Sequence, residues 1–264
     1  MKKVVYIFIV IILVLMSGCN DKSTQDVSPN SINNVSETVN SNLSNDSLSQ
    51  EDLSNSSMLT HEENDSYTYV AESHMIDFTP ICQYPELPTG CEVTSLAMVL
   101  NYYNVDCDKC EIADNYLSKG EVGTVDFHKA FEGDPRDEYS FGCYSNVIVE
   151  TANKILADKS SMLYVGDYTG SSLEELYPII NKDIPIIVWG TQDCQEGHFS
   201  VTWNVDGEDL TWFTPEHCMV LMGYDETSVW VADPIYGDIR SYEKDTFERS
   251  YDSLFQQAVV IKPV

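Results

Sequence analysis

Cys91 stands in the tetrapeptide Thr89-Gly90-Cys91-Glu92, between a glycine and an apolar run that ends at Tyr103. A cysteine in that place can be a packed core residue, half of a disulfide, a metal ligand or a nucleophile. Thr-x-x-Glu ahead of an apolar run reads as a capping box with Thr89 as N-cap, which puts Cys91 in the first turn of a helix. Helix N-termini carry partial positive charge and unpaired N–H groups. A thiolate is stabilised there, so the Cys91 pKa is expected to fall below the free value of ~8.5. The same N–H groups can hold an oxyanion, and Gly90 leaves room for a substrate to come close. The competing reading is an inert buried cysteine, a common core residue.

A nucleophilic thiol needs a base and a group that orients the base. Of the five histidines, His61 lies in a polar N-terminal stretch, His74 near a domain edge and His128 in a short segment that reads as surface. His217 opens "HCMVLMGYDETSVWVADP", which reads as strand, turn, strand. A turn centred on 225–227 brings His217 within one or two residues of Asp233 across the hairpin, where a carboxylate could fix the imidazole tautomer. His198 could meet Asp206 or Asp209 across its own hairpin, but no motif supports that pairing. Gln83, eight residues before Cys91, carries an amide that could complete an oxyanion hole.

Seven more cysteines complete the set: Cys19, Cys82, Cys107, Cys110, Cys143, Cys194 and Cys218. With Cys19 set aside as a lipid site, an odd number remains, so one thiol should stay free if the others pair. Cys107 and Cys110 form a single C-x-x-C, too little for four-ligand zinc, and disulfide bonding is the expectation for them in an exported chain. Cys82 and Cys218 each neighbour a proposed site residue. In extended backbone neighbours face opposite ways, so both should point away from the thiol, with structural roles and a mutual disulfide open to them.

These residues need elements to position them. Apolar residues at Val93, Leu96, Ala97 and Leu100 predict a helix over 91–103, with further apolar residues around it that make it central and buried. Helices are also expected over 109–117, 147–157 and 172–181. Strand-like runs then dominate, at 184–190, 198–205, 217–224, 228–233, 238–242 and 257–262, with a short helix within 244–255. Helices first and a mostly antiparallel sheet afterwards is an α+β arrangement.

The whole chain carries 14 basic and 43 acidic residues, a net charge of -29. That balance excludes nucleic acid as a partner, because phosphates need Lys and Arg. Lys2 and Lys3 precede an uncharged run over 4–16, too short for a comfortable membrane span. Residues 19–68 are rich in Ser, Asn, Asp and Glu and cannot bury enough apolar surface to fold. They read as a disordered tether with a mean reach of roughly 40 Å. Residues 69–264 have the composition of one globular domain.

"LVLMSGC" at 13–19 resembles the lipobox of bacterial lipoproteins, which implies a lipoprotein signal peptide over 1–18 and lipidation of Cys19. An ordinary signal peptide or an uncleaved anchor is the alternative, and either exports the chain. "QYPELPTGCEVTSLAMVLNYY", "FGCYSNVI", "IPIIVWGT" and "EHCMVLMGYDETSVWVADPIYG" resemble the stand-alone relatives of the double-glycine leader peptidases. Those peptidases mature bacteriocins and are papain-like cysteine peptidases. The resemblance implies a papain-like fold, with helices packed on the C-terminal sheet. It implies Cys91 as nucleophile, His217 as base, Asp233 as orienting acid and Gln83 at the oxyanion hole, with no cofactor and no metal.

The expected function is an extracytoplasmic cysteine peptidase, held at the bacterial membrane by lipid on Cys19 and acting on a peptide or protein through a thioester. Two alternatives stand beside it. One is a transpeptidase or amidase on cell-wall peptides, in which the thioester passes to an amine. The other is a non-catalytic peptide-binding domain on the same scaffold.

Overall fold

A computed structural model describes residues 71–264 of the chain. The expected signal peptide, Cys19 and the expected tether lie outside the described residues. After a short strand β1 (His74–Met75), the first long element is helix α1 (Cys91–Tyr102), in which every residue from Cys91 to Leu100 is buried. An element apolar on every face must be enclosed by others, and α1 packs along the longest strand of the sheet. The expected helix over 109–117 is shorter: α2 (Lys109–Glu111) passes into a single π-helical turn over Ile112–Tyr116.

Two short parallel strands follow, β2 (Lys119–Gly120) and β3 (Phe131–Glu132). Helix α3 (Ser145–Asp158) is amphipathic and buries Val147, Ile148, Thr151, Ala152, Ile155 and Leu156. Strand β4 (Leu163–Asp167) leads to α4 (Leu173–Ile180), whose N-terminus holds a true capping box. There the Ser172 hydroxyl accepts from the Glu175 N–H while the Glu175 carboxylate accepts from the Ser172 N–H. A side-chain cap of this kind contributes about 1 kcal/mol.

The second half is mostly sheet. Strand β5 (Ile186–Thr191) is buried throughout. Strands β6 (His198–Val205) and β7 (Glu208–Thr214) form a hairpin of their own, outside the main sheet. Strands β8 (Glu216–Tyr224), β9 (Ser228–Asp233) and β10 (Asp238–Glu243) form a meander, followed by α5 (Lys244–Ser253) and β11 (Ala258–Pro263). The main sheet runs β10-β9-β8-β5-β11-β4, antiparallel throughout, with β1 added to the end of β8. This is the expected α+β arrangement, with β4, β7 and the two-residue strands in addition.

The hairpin of β8 and β9 contains one irregularity that matters for the site. Gly223 pairs with Trp230, but Leu221 pairs with Val231, so Met222 is an extra residue on β8. A bulge of this kind shifts the register by one. Because side chains alternate with a period of two, a shift of one exchanges the faces. Beyond the bulge Val220 lies opposite Ala232, and continuing that register sets Met219 opposite Asp233. His217, two residues from Met219, therefore shares a face with Asp233. Without the bulge it would face the opposite side.

Among the described residues no helix is long and apolar enough to cross a membrane.

Candidate active site

His217 and Asp233 meet as the hairpin register requires. His217 Nε2 lies 2.8 Å from Asp233 Oδ1, with the histidine 1% and the aspartate 0% exposed. The same Oδ1 accepts the N–H of Ile235 at 2.9 Å, which fixes the carboxylate. An ionised carboxylate only accepts, so Nε2 carries the proton and Nδ1 keeps its lone pair. The imidazole is thereby prepared to act as a base through Nδ1.

Cys91 is the first residue of α1, with 7% of its surface exposed. The local chemistry differs from the expected capping box. The helix begins one residue later than that box requires, with Gly90 as N-cap and no side-chain cap. Tertiary partners have taken both side chains: the Thr89 hydroxyl donates to the Asp137 carbonyl at 3.0 Å, and Glu92 accepts the Cys143 N–H at 2.6 Å. Gly90 also has an internal cause rather than a substrate. A Cβ there would meet the Cβ of Leu87 at 2.6 Å.

The Cys91 thiol donates to Glu92 Oε2 at 3.3 Å and forms no hydrogen bond with His217. Its pKa is pushed well up, the opposite of the sequence expectation. Burial is the largest cause, followed by the nearby carboxylates of Glu92 and Glu216. A backbone hydrogen bond from Cys218 pulls the other way. The helix N-terminus does not outweigh two acids in a buried site. That Cys218 contact also places the sulfur beside the residue that follows His217.

Cys218 corrects another expectation. Alternation along β8 turns Glu216 and Cys218 toward Cys91 and Glu92, while His217 turns toward Asp233. Cys218 is thus on the side of the thiol, not away from it. Ser95 of α1 donates to its carbonyl at 3.2 Å, which ties the helix to the strand. All seven described cysteines are free thiols. Cys82 and Cys218 do not pair: Cys82 Sγ lies 3.8 Å from the Ile235 carbonyl, and Cys218 is fully buried. Cys107, ahead of α2, is buried and Cys110, within α2, is half-buried, each as a separate thiol, with burial pushing Cys107 up to about 11.

Gln83 is 2% exposed and lies between the other parts of the site. Its N–H donates to the Pro234 carbonyl at 2.8 Å, next to Asp233, and its own carbonyl accepts from Leu87 in the turn leading to Cys91. The side-chain Nε2 donates to the Pro88 carbonyl at 2.8 Å, leaving a second N–H for another acceptor. Lys109 holds this segment from below, a role the sequence did not suggest. Its Nζ donates to the Gln83 carbonyl at 2.9 Å and pairs with Glu86 at 2.9 Å, and it also donates to the Cys82 carbonyl.

The other described histidines stay apart. His198 is exposed at the start of β6, in register with Thr214, and Asp209 bonds Asn204 instead. His128 meets Asp126 at 2.8 Å, and His74 meets Asp183 at 2.9 Å.

Two further acids were not anticipated. Glu92 is fully buried, and burial pushes its carboxyl up to about 7. Glu216 is held well above the usual carboxylate range, by burial first and then by Glu92. One donor atom each from Cys91, Glu92 and Glu216 lies within 4.8 Å of the others, the single such grouping among the described residues. The thiol already donates to Glu92, and Glu92 accepts the Cys143 N–H, so the grouping is a hydrogen-bonded acid cluster around the sulfur.

The profile of the Peptidase_C39 like family matches residues 75–259. The chain is 31% identical over 188 residues to "Uncharacterized protein YvpB" of Bacillus subtilis, covering 67% of this chain and 71% of that one. A Bacillus anthracis protein described as a C39-like peptidase superposes with a TM-score of 0.65 at 29% identity, covering 74% of this chain and 99% of the other. The peptidase domain of Streptococcus ComA, a bi-functional ABC transporter, gives a TM-score of 0.44 at 15% identity, over 71% of this chain and 99% of that domain.

Proposed function

As the chain belongs to the Peptidase_C39 like family, we propose that it is a membrane-tethered cysteine peptidase that cleaves peptide bonds through a thioester on Cys91. The observation that carries this reading is the buried His217–Asp233 pair, on the strand whose next residue touches the Cys91 sulfur. Nδ1 of His217 takes the thiol proton, and the thiolate adds to the scissile carbonyl. The oxyanion is held by the free N–H of the Gln83 amide and by backbone N–H groups at the start of α1. The imidazolium then protonates the leaving amine, and water, activated by the same nitrogen, cleaves the thioester.

The tether reading rests on the sequence alone, on the basic start, the uncharged run and Cys19. Washed membranes from cells making the full-length chain provide one test of both parts, assayed on a mixed peptide library. Cleavage should sediment with the membranes, vanish with Cys91→Ala and move to the soluble fraction with Cys19→Ala. Cleavage that survives Cys91→Ala would end the peptidase reading. Activity that stays on the membrane in Cys19→Ala would end the lipid reading.

Lys109 acts through Gln83, so Lys109→Met should lower kcat more than it raises KM. The ceiling is the ~10²-fold cost of losing one oxyanion donor. Steady-state kinetics should show no further loss when Lys109→Met is added to Gln83→Ala, because Lys109 acts only by holding the backbone that carries the amide already removed. Additive losses would assign Lys109 a separate role.

A further inference from the structure

The residue in contact with the nucleophilic sulfur is Glu92, not His217, and nothing in the proposed mechanism uses it. We infer that Glu92 is a further residue of the catalytic centre: its carboxylate holds the Cys91 thiol protonated and turned away from His217 until substrate releases it. The inference rests on the peptidase reading above and adds a resting state to it.

Geometry carries the argument. Glu92 Oε2 accepts the thiol proton at 3.3 Å, while Oε1 is anchored by the Cys143 N–H at 2.6 Å. The carboxylate therefore cannot swing away from the sulfur without breaking a buried hydrogen bond. Gly142 packs tightly beside it, since a Cβ there would lie 2.4 Å from Glu92 Oε1 and 3.2 Å from Glu216 Oε2. Glu216 has one oxygen, Oε1, buried with no hydrogen-bond partner. The titratable groups facing Glu92 are Cys91 on its own helix, Cys143 ahead of α3, and Glu216 and Cys218 on β8.

A negative charge beside a thiol disfavours the thiolate. While Glu92 is ionised, the sulfur keeps its proton and its hydrogen bond. Activation breaks the S–H···Oε2 bond and turns the S–H bond toward Nδ1 of His217, whose Nε2 is occupied by Asp233. The proton then passes from sulfur to Nδ1, giving thiolate and imidazolium, and Glu92 is left as it was. No other reactant is consumed.

The test is the rate at which iodoacetamide alkylates Cys91 in the full-length chain, followed by mass spectrometry from pH 5 to 9. Glu92→Gln removes the charge and should raise the rate at pH 7.5 by ~10-fold or more, since a neighbouring charge moves a pKa by about a unit or more. It should also abolish the inflection near pH 7 expected of the wild type. Glu216→Gln replaces an acid that is still protonated where Glu92 titrates, so that inflection should stay near pH 7. A Glu92→Gln rate equal to or below the wild type, or an inflection that survives Glu92→Gln or vanishes in Glu216→Gln, would overturn the inference. Either result leaves the peptidase reading intact, because that reading stands on peptide cleavage and its loss in Cys91→Ala. A merely structural Glu92 would not move the inflection.

Discussion

Replacing His217 with alanine is expected to lower kcat/KM for peptide cleavage by ~10³-fold or more, with the protein still folded. Loss of the base in a nucleophile–base–acid unit has costs of that size, and the members of the unit are strongly non-additive. His217→Ala in a Cys91→Ala background should therefore add almost nothing. Asp233→Asn should also cost a large factor by a different route. The carboxylate keeps the proton on Nε2, and an amide in its place can present its NH₂ to the ring and reverse the tautomer. Nδ1 would then carry the hydrogen and could not accept one from sulfur. The measurement is steady-state kinetics on a peptide first identified by library cleavage, with circular dichroism as the control for folding. If His217→Ala retains a tenth or more of the wild-type rate, another group takes the proton, and Glu92 is the acid already at the sulfur.

The second large effect concerns stability against pH. Glu92 has a folded pKa of about 7 against an ordinary value of 4.5. Between those values the folded chain binds more protons than the unfolded chain. Stability from this group is fully present below about 4.5 and is lost as pH rises through about 7. A shift of that size corresponds to roughly 3 kcal/mol, taken at 1.36 kcal/mol per unit. Glu216 contributes in the same direction, because burial raises it too. Other acids act oppositely but in a lower window. Against its burial, Asp126 is held at about 2 by Lys129 and the N–H of His128, so its contribution fades only in strong acid. The unfolding free energy should rise as pH falls from 8 to about 5, then decline below about 4. Urea titrations at a series of pH values measure this, and Glu92→Gln should flatten the rise. A chain that loses stability steadily from pH 8 to 5 would contradict the burial and coupling of this acid pair.

Much of the fold was legible because its signals are local. The apolar residues of α1 recur at helical spacing, and β5, β8, β9 and β11 are short apolar or alternating runs between turns. β4 is not legible because its five residues, Leu163–Asp167, end in Gly166 and Asp167, which are depleted in strands and break the apolar pattern. The hairpin reading found His217 and Asp233 to within the residues that now touch, but not the extra residue at Met222 that puts them on one face. A bulge depends on pairing with the neighbouring strand, and one strand's sequence does not display it. Glu92 was visible and assigned to local capping, although its partner is Cys143, 51 residues away. The same holds for the thiol's acidity. A helix N-terminus is a sequence-local feature, whereas Glu216 reaches Cys91 only through the packing of α1 on β8.

The extra residue at Met222 also constrains how this stretch can change over generations. His217 and Asp233 are 16 positions apart, and only one parity of pairing lets them meet. Deleting a single residue from one strand of the hairpin, or inserting one, would slide the partner strands by one step and send the acid to the opposite side of the sheet. A second, compensating change would bring it back. Descendants of this sequence are therefore free to exchange side chains between the histidine and the aspartate, but changes of length within the paired strands must come in twos.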